Sequence, residues 1–106
     1  MTSPHSVTLD LHGVADKAEF MDRVARALAL PDWFGRNWDA LADSLADPGT
    51  WPGTAADDGL LIVVRGWRPY AQTRPDEWAI AQDVLAEAAD RAPALDVMLA
   101  LGHRVR

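Results

Sequence analysis

Apolar and polar positions change their period several times along this chain, and each change marks an element. Val7-Thr8-Leu9-Asp10-Leu11-His12 alternates, which predicts a strand with one buried face, and Gly13 breaks it. Asp16-Lys17-Ala18-Glu19 resembles a capping box with Asp in the usual Ser or Thr place. Phe20, Val24 and Leu28 then share one stripe of a helix running to about Ala29. Leu60-Leu61-Ile62-Val63-Val64 is continuously apolar, the pattern of a strand buried on both faces. Gly66-Trp67-Arg68-Pro69-Tyr70 starts a short turn or helix. Pro75-Asp76-Glu77 opens the last long helix, with Pro suited to the first turn and the acids to the dipole. Trp78, Ala81, Leu85 and Ala88 mark its buried stripe, and Pro93 ends it. Leu95 to Leu101 reads as a third strand, followed by the basic segment Gly102-His103-Arg104-Val105-Arg106.

The order β-α-α-β-α-α-β leaves helical crossovers between successive strands, which implies a small parallel sheet packed with helices. The fold class is therefore α/β. Residues 1–106 make a single domain, large enough for a core without staples.

The stretch from Leu30 to Asp47 does more than fold. Leu30-Pro31 ends one element, because proline pushes the residue before it out of the helical region. Gly35 permits a tight turn, and Asn37 or Asp32 caps a new helix. Trp38, Leu41 and Leu45 fall at the spacing of a buried stripe. Asp39, Asp43 and Asp47 repeat every four residues along another face, where like charges destabilise a helix by roughly 0.2–0.5 kcal/mol per pair. Folding does not ask for that acidic ridge. Residues 46–59 follow as a long Pro/Gly-rich loop holding Trp51, either a lid packed on the core or an exposed anchor.

Charge sharpens this picture. The formal net charge is −6, which argues against nucleic acid as a direct ligand. Residues 32–58 hold six acids and one base, a net of −5, and the rest of the chain only −1. So concentrated a field steers cationic partners toward it; the plain alternative is a solvated face. No cysteine is present, so disulfides and thiolate metal sites are excluded. The start shows no signal-peptide pattern and no apolar run reaches membrane-spanning length, so a cytoplasmic protein with no membrane partner is expected.

Catalytic patterns are missing. There is no Gly-rich phosphate loop, no nucleophile elbow and no His pair at zinc-binding spacing. Asp39 and Asp43 could share a divalent cation on one helix face, but hard cations ask for more oxygen ligands than two carboxylates supply. We therefore expect no cofactor and no metal site; paired acids for general acid–base work need unequal environments, which a sequence does not show. Glu87 lies off the buried stripe of the last helix and on composition alone is a solvated acid.

Leu28-Ala29-Leu30-Pro31-Asp32-Trp33-Phe34-Gly35-Arg36-Asn37-Trp38-Asp39-Ala40-Leu41-Ala42-Asp43-Ser44-Leu45 resembles the signature of the barstar family, intracellular inhibitors of the ribonuclease barnase. Ile62-Val63-Val64 with Trp67-Arg68 is similar to that family's central strand and Trp-Arg pair. Val84-Leu85-Ala86-Glu87-Ala88 resembles the late-helix segment carrying an inhibitory Glu. The resemblance implies a three-stranded parallel sheet with helices and a chain that is monomeric when free. It implies an acidic helix and preceding loop that enter the active site of a basic, barnase-like ribonuclease or related toxin. Asp43 would take the place of a substrate phosphate and Asp39 add a second acidic contact. Trp33, Gly35, Asn37, Ala42, Trp51 and Glu87 complete the implied partner surface. Ala42 stands where the family carries a bulky aromatic, which removes contact area. Two other readings are an interaction module or antitoxin of the same fold for a non-ribonuclease partner, and a metal-dependent enzyme using Asp39 and Asp43.

Overall fold

The computed structural model describes residues 3–31 and 35–100. Its strands are β1 (His5–Asp10), β2 (Leu60–Arg65) and β3 (Leu95–Leu99), and its helices α1 (Lys17–Ala27), α2 (Trp38–Leu45), α3 (Ala55–Asp58), α4 (Trp67–Thr73) and α5 (Pro75–Arg91). The strands form one parallel sheet in the order β1-β2-β3, so the apolar run Leu60–Val64 is the central strand. The expected α/β architecture is the one observed.

Register explains which face is covered. Val7, Ile62 and Val97 lie side by side, as do Leu9, Val64 and Leu99, and all six are buried. The other face carries Ser6, Leu61 and Asp96 in one row and Thr8, Val63 and Met98 in the next. There Leu61 and Val63 are only half-buried and Met98 is exposed. The expectation that β2 is buried on both faces is thus corrected. The helices cover one face, and the polar residues of β1 and β3 hold the other in water. Val24 from α1, Leu28 just after it, Leu45 at the end of α2 and Leu85 from α5 meet Val7, Leu9 and Ile62 over the covered face.

Helix ends account for most boundaries. Asp16 caps α1, its Oδ1 accepting from the Glu19 backbone N–H at 3.0 Å. At the other end the Leu30 N–H donates to the Ala25 carbonyl at 2.9 Å and the Ala29 N–H to that of Arg26 at 3.4 Å. That is a Schellman closure, and it places Ala29 at φ 52, in the left-handed region. The helix stops at Ala27, slightly earlier than its stripe suggests. β1 likewise begins and ends two residues earlier than the alternation from Val7 to His12, while Leu11 beyond it stays buried.

Gly66 links β2 to α4 at φ 64, where a Cβ would stand 2.8 Å from the His12 backbone nitrogen. Only glycine fits both demands. Pro75 begins α5 and Ala92 ends it one residue before Pro93, as the pattern predicts. β3 ends at Leu99; Leu101 and the basic segment 102–106 lie outside the described residues.

The stretch 46–59 is less a loop than its composition suggests. Pro48–Thr50 forms a single 3-10 turn and Ala55–Asp58 one turn of helix.

Candidate protein-binding surface

The acidic helix α2 begins where Asn37 caps it: Asn37 Oδ1 accepts from the Ala40 N–H at 2.8 Å, and Nδ2 donates to the Gly35 carbonyl at 3.3 Å. Asp32, the other candidate cap, lies outside the described residues, as does Trp33. The left-handed residue is Arg36, at φ 52. Gly35 packs closely against the new helix: a Cβ there would lie 3.1 Å from Asn37 Nδ2 and 3.3 Å from the Ala40 Cβ, and one of these would have to shift slightly. Arg36 is tied to Asp22 of α1 by an ion pair, so the segment before α2 is anchored to the neighbouring helix.

Leu41 and Leu45 point into the core and Ala42 joins them, all buried. Trp38 is only half-buried. Its ring meets Phe20 at 5.7 Å between centroids and carries the Lys17 ammonium at 5.8 Å. α2 packs along α5, and this pairing decides what the acids do.

The ridge of three acids divides. Asp47 lies beyond α2 and caps the 3-10 turn, its Oδ1 accepting from the Gly49 N–H at 2.9 Å. It has a structural duty. Asp39 and Asp43 stay exposed, and α5 brings two further acids to them. A hollow of about 260 Å³ between the helices is lined by Trp38, Asp39, Ala42, Ile80, Asp83, Val84 and Glu87. Its apolar floor includes Ile80, one of the large hydrophobic residues exposed on this molecule. Beside it Arg91 reaches Asp43 Oδ1 at 3.2 Å and Glu87 Oε2 at 3.8 Å. The side chains of Asp43, Glu87 and Arg91 are 74%, 61% and 48% exposed, so the cluster is open to a partner.

Asp39 and Asp43, which the sequence places on one helix face, and Glu87, which it singles out separately, thus share one surface. Ile80, Asp83, Val84 and Arg91 belong to it too and were missed. Their signal is a second stripe on α5: positions 80, 83, 84, 87 and 91 follow helical spacing on a face beside the buried one. With Asp39, Asp43, Asp83 and Glu87 against Arg91, the patch carries a net charge of −3.

Trp51 is not an exposed anchor. It is 7% exposed, and its indole N–H donates to the Leu45 carbonyl at 3.0 Å. The ring sits next to the acidic helix but faces inward, so it supports the surface rather than forming it. Ala42 is similarly enclosed and offers a partner only the floor of the hollow.

What this arrangement does chemically is hold positive charge. Two carboxylates from different helices converge on one guanidinium, and two more stand around an apolar floor. Among the described residues, no group of three or more His, Asp or Glu side chains could hold a metal ion. No helix there is long and apolar enough to cross a membrane.

Compared with known proteins, residues 4–102 match the family described as Barstar (barnase inhibitor). No curated protein matches the chain.

Proposed function

This chain belongs to the barstar family, and from that premise we propose that it is a non-enzymatic protein inhibitor of a basic ribonuclease, acting inside the cell. One observation carries the reading. Asp43 and Glu87, 44 positions apart, are brought by α2 and α5 onto a single guanidinium at the surface. A pair of carboxylates already arranged around one cation suits the phosphate-binding arginines and lysines of a ribonuclease active site.

Inhibition then follows from occupation. Asp43 sits where a substrate phosphate would, and Asp39 and Glu87 add acidic contacts beside it. The body of α2 and α5 keeps RNA from the catalytic groups. No bond is made or broken, and no metal takes part. The net −5 over residues 32–58 draws the basic enzyme in before contact.

The experiment is cleavage of RNA by barnase, as a representative basic ribonuclease, with and without the purified chain. The expected result is stoichiometric loss of cleavage that survives excess chelator. Cleavage unaffected by the chain would turn the reading toward a partner outside the ribonucleases. Inhibition abolished by chelator would favour a metal at Asp39 and Asp43.

A further inference from the structure

We propose that Arg91 is a partner-selectivity residue: in the free protein it occupies the Asp43–Glu87 pair as an internal cation, and every cationic partner must displace it. The proposal rests on the ribonuclease-inhibitor reading for its biological partner, though the contact itself does not. The geometry is direct. Arg91 Nη1 stands 3.2 Å from Asp43 Oδ1 and 3.8 Å from Glu87 Oε2, between a residue of α2 and one a turn earlier on its own helix.

Arg91 also has reason to be there without a partner. It lies in the last turn of α5, where a positive charge suits the helix dipole, and it relieves repulsion between two acids held together by helix packing. On binding, the second of these gains is supplied by the partner instead. A partner guanidinium or ammonium that reaches Asp43 competes for the same oxygen and meets a like charge beside it. Arg91 must swing out, and the swing is feasible because its side chain is about half exposed.

Two consequences distinguish this surface from a purely acidic one. Encounter with a uniformly basic enzyme is slower and its complex weaker than the acids alone would give. A partner with a carboxylate opposite the displaced Arg91 recovers what the others lose. Arg91 thus selects among basic proteins by what they carry at the edge of the basic site.

The test measures binding of barnase, and separately of a tetra-arginine peptide, to the wild type, Arg91→Gln and Arg91→Glu. Exposed pairs of this kind are worth a factor of up to about five. We expect Arg91→Gln to bind both probes roughly two- to fivefold more tightly and Arg91→Glu more tightly still, while the free protein melts slightly earlier in the first and earlier again in the second, as each loses a charge that suits the helix end. Arg68→Gln alters net charge equally at the start of α4 and should gain less than Arg91→Gln. In an Asp43→Asn background the gain should vanish. Peptide binding that is unchanged or weaker in Arg91→Gln, or equally raised by Arg68→Gln, overturns the proposal. If the peptide shows the gain while barnase binds none of the proteins, Arg91 keeps its role and the ribonuclease reading fails.

Discussion

The indole N–H of Trp51 donates to the carbonyl of Leu45, at 3.0 Å, and so fastens the segment after the acidic helix to that helix's last turn. The carbonyl is one that α2 itself leaves without an intrahelical donor. Trp51→Ala should therefore cost about 3–5 kcal/mol in unfolding free energy, as large aromatic truncations in cores do. Trp51→Phe keeps the packing and loses the bond, and should cost about 1–2 kcal/mol. Denaturant titration of both variants measures this. Trp51→Ala as stable as the wild type would return the ring to the surface.

Ala29 occupies a left-handed position at φ 52 to close α1, a place that suits glycine better. Ala29→Gly should raise stability by about 0.5–1 kcal/mol, the relief of backbone strain less the added freedom of the unfolded chain. The check is a higher denaturant midpoint at unchanged slope. A lower midpoint would mean that the cap is not strained.

Tyr70 is the only tyrosine, fully buried, with its hydroxyl donating to Glu77 Oε1 at 3.0 Å. Burial pushes its ionisation well above the ordinary value of 10.0, and the bond to Glu77 and the negative charge of Glu77 add to that. The folded state therefore holds this proton more tightly than the unfolded state. Its contribution is intact below pH 10.0 and is lost as pH rises above that value. Alkaline melting should show the loss, with tyrosinate absorbance appearing only on unfolding. In Tyr70→Phe the alkaline fall should flatten. Tyrosinate formed in the still-folded protein would contradict this.

Association with a basic ribonuclease should be fast at low salt and slow markedly as salt rises, because the charge imbalance lies on one quarter of the chain. Stopped-flow mixing across a salt series reads it. A rate indifferent to salt would leave the acidic patch without a steering role.

Much of this molecule was written locally. The central strand, the Asn37 cap and the limits of α5 follow from apolar runs, a capping side chain and two prolines. What failed was long-range. The second face of β2 depends on which side the helices choose, and Leu61 and Val63 carry no mark of it. Before α2 the left-handed residue is Arg36, and its ion pair reaches Asp22, fourteen residues back, a contact that local composition does not mark. Trp51 stayed undecided between lid and anchor because its acceptor is a backbone carbonyl, which no side chain in the sequence marks. For the candidate surface, Asp39, Asp43 and Glu87 were each visible, but their meeting depends on α2 lying along α5. Asp83 and Arg91 became functional candidates only through that packing.

Asp43→Ala tests the central claim most directly, with thermal unfolding of the free variant measured beside its affinity for barnase. Asp43 is exposed and its pair with Arg91 is of the kind worth about 0–1 kcal/mol, so its loss should barely move the melting point. At the interface the same truncation should cost about 2–5 kcal/mol or more, the range measured for desolvated interfacial charge pairs, barnase–barstar among them. Leu41→Ala on the buried face of the same helix should do the reverse, lowering stability by about 2–5 kcal/mol. A stable Asp43→Ala protein that no longer restrains barnase is the predicted result. One that binds barnase as tightly as the wild type would contradict the account.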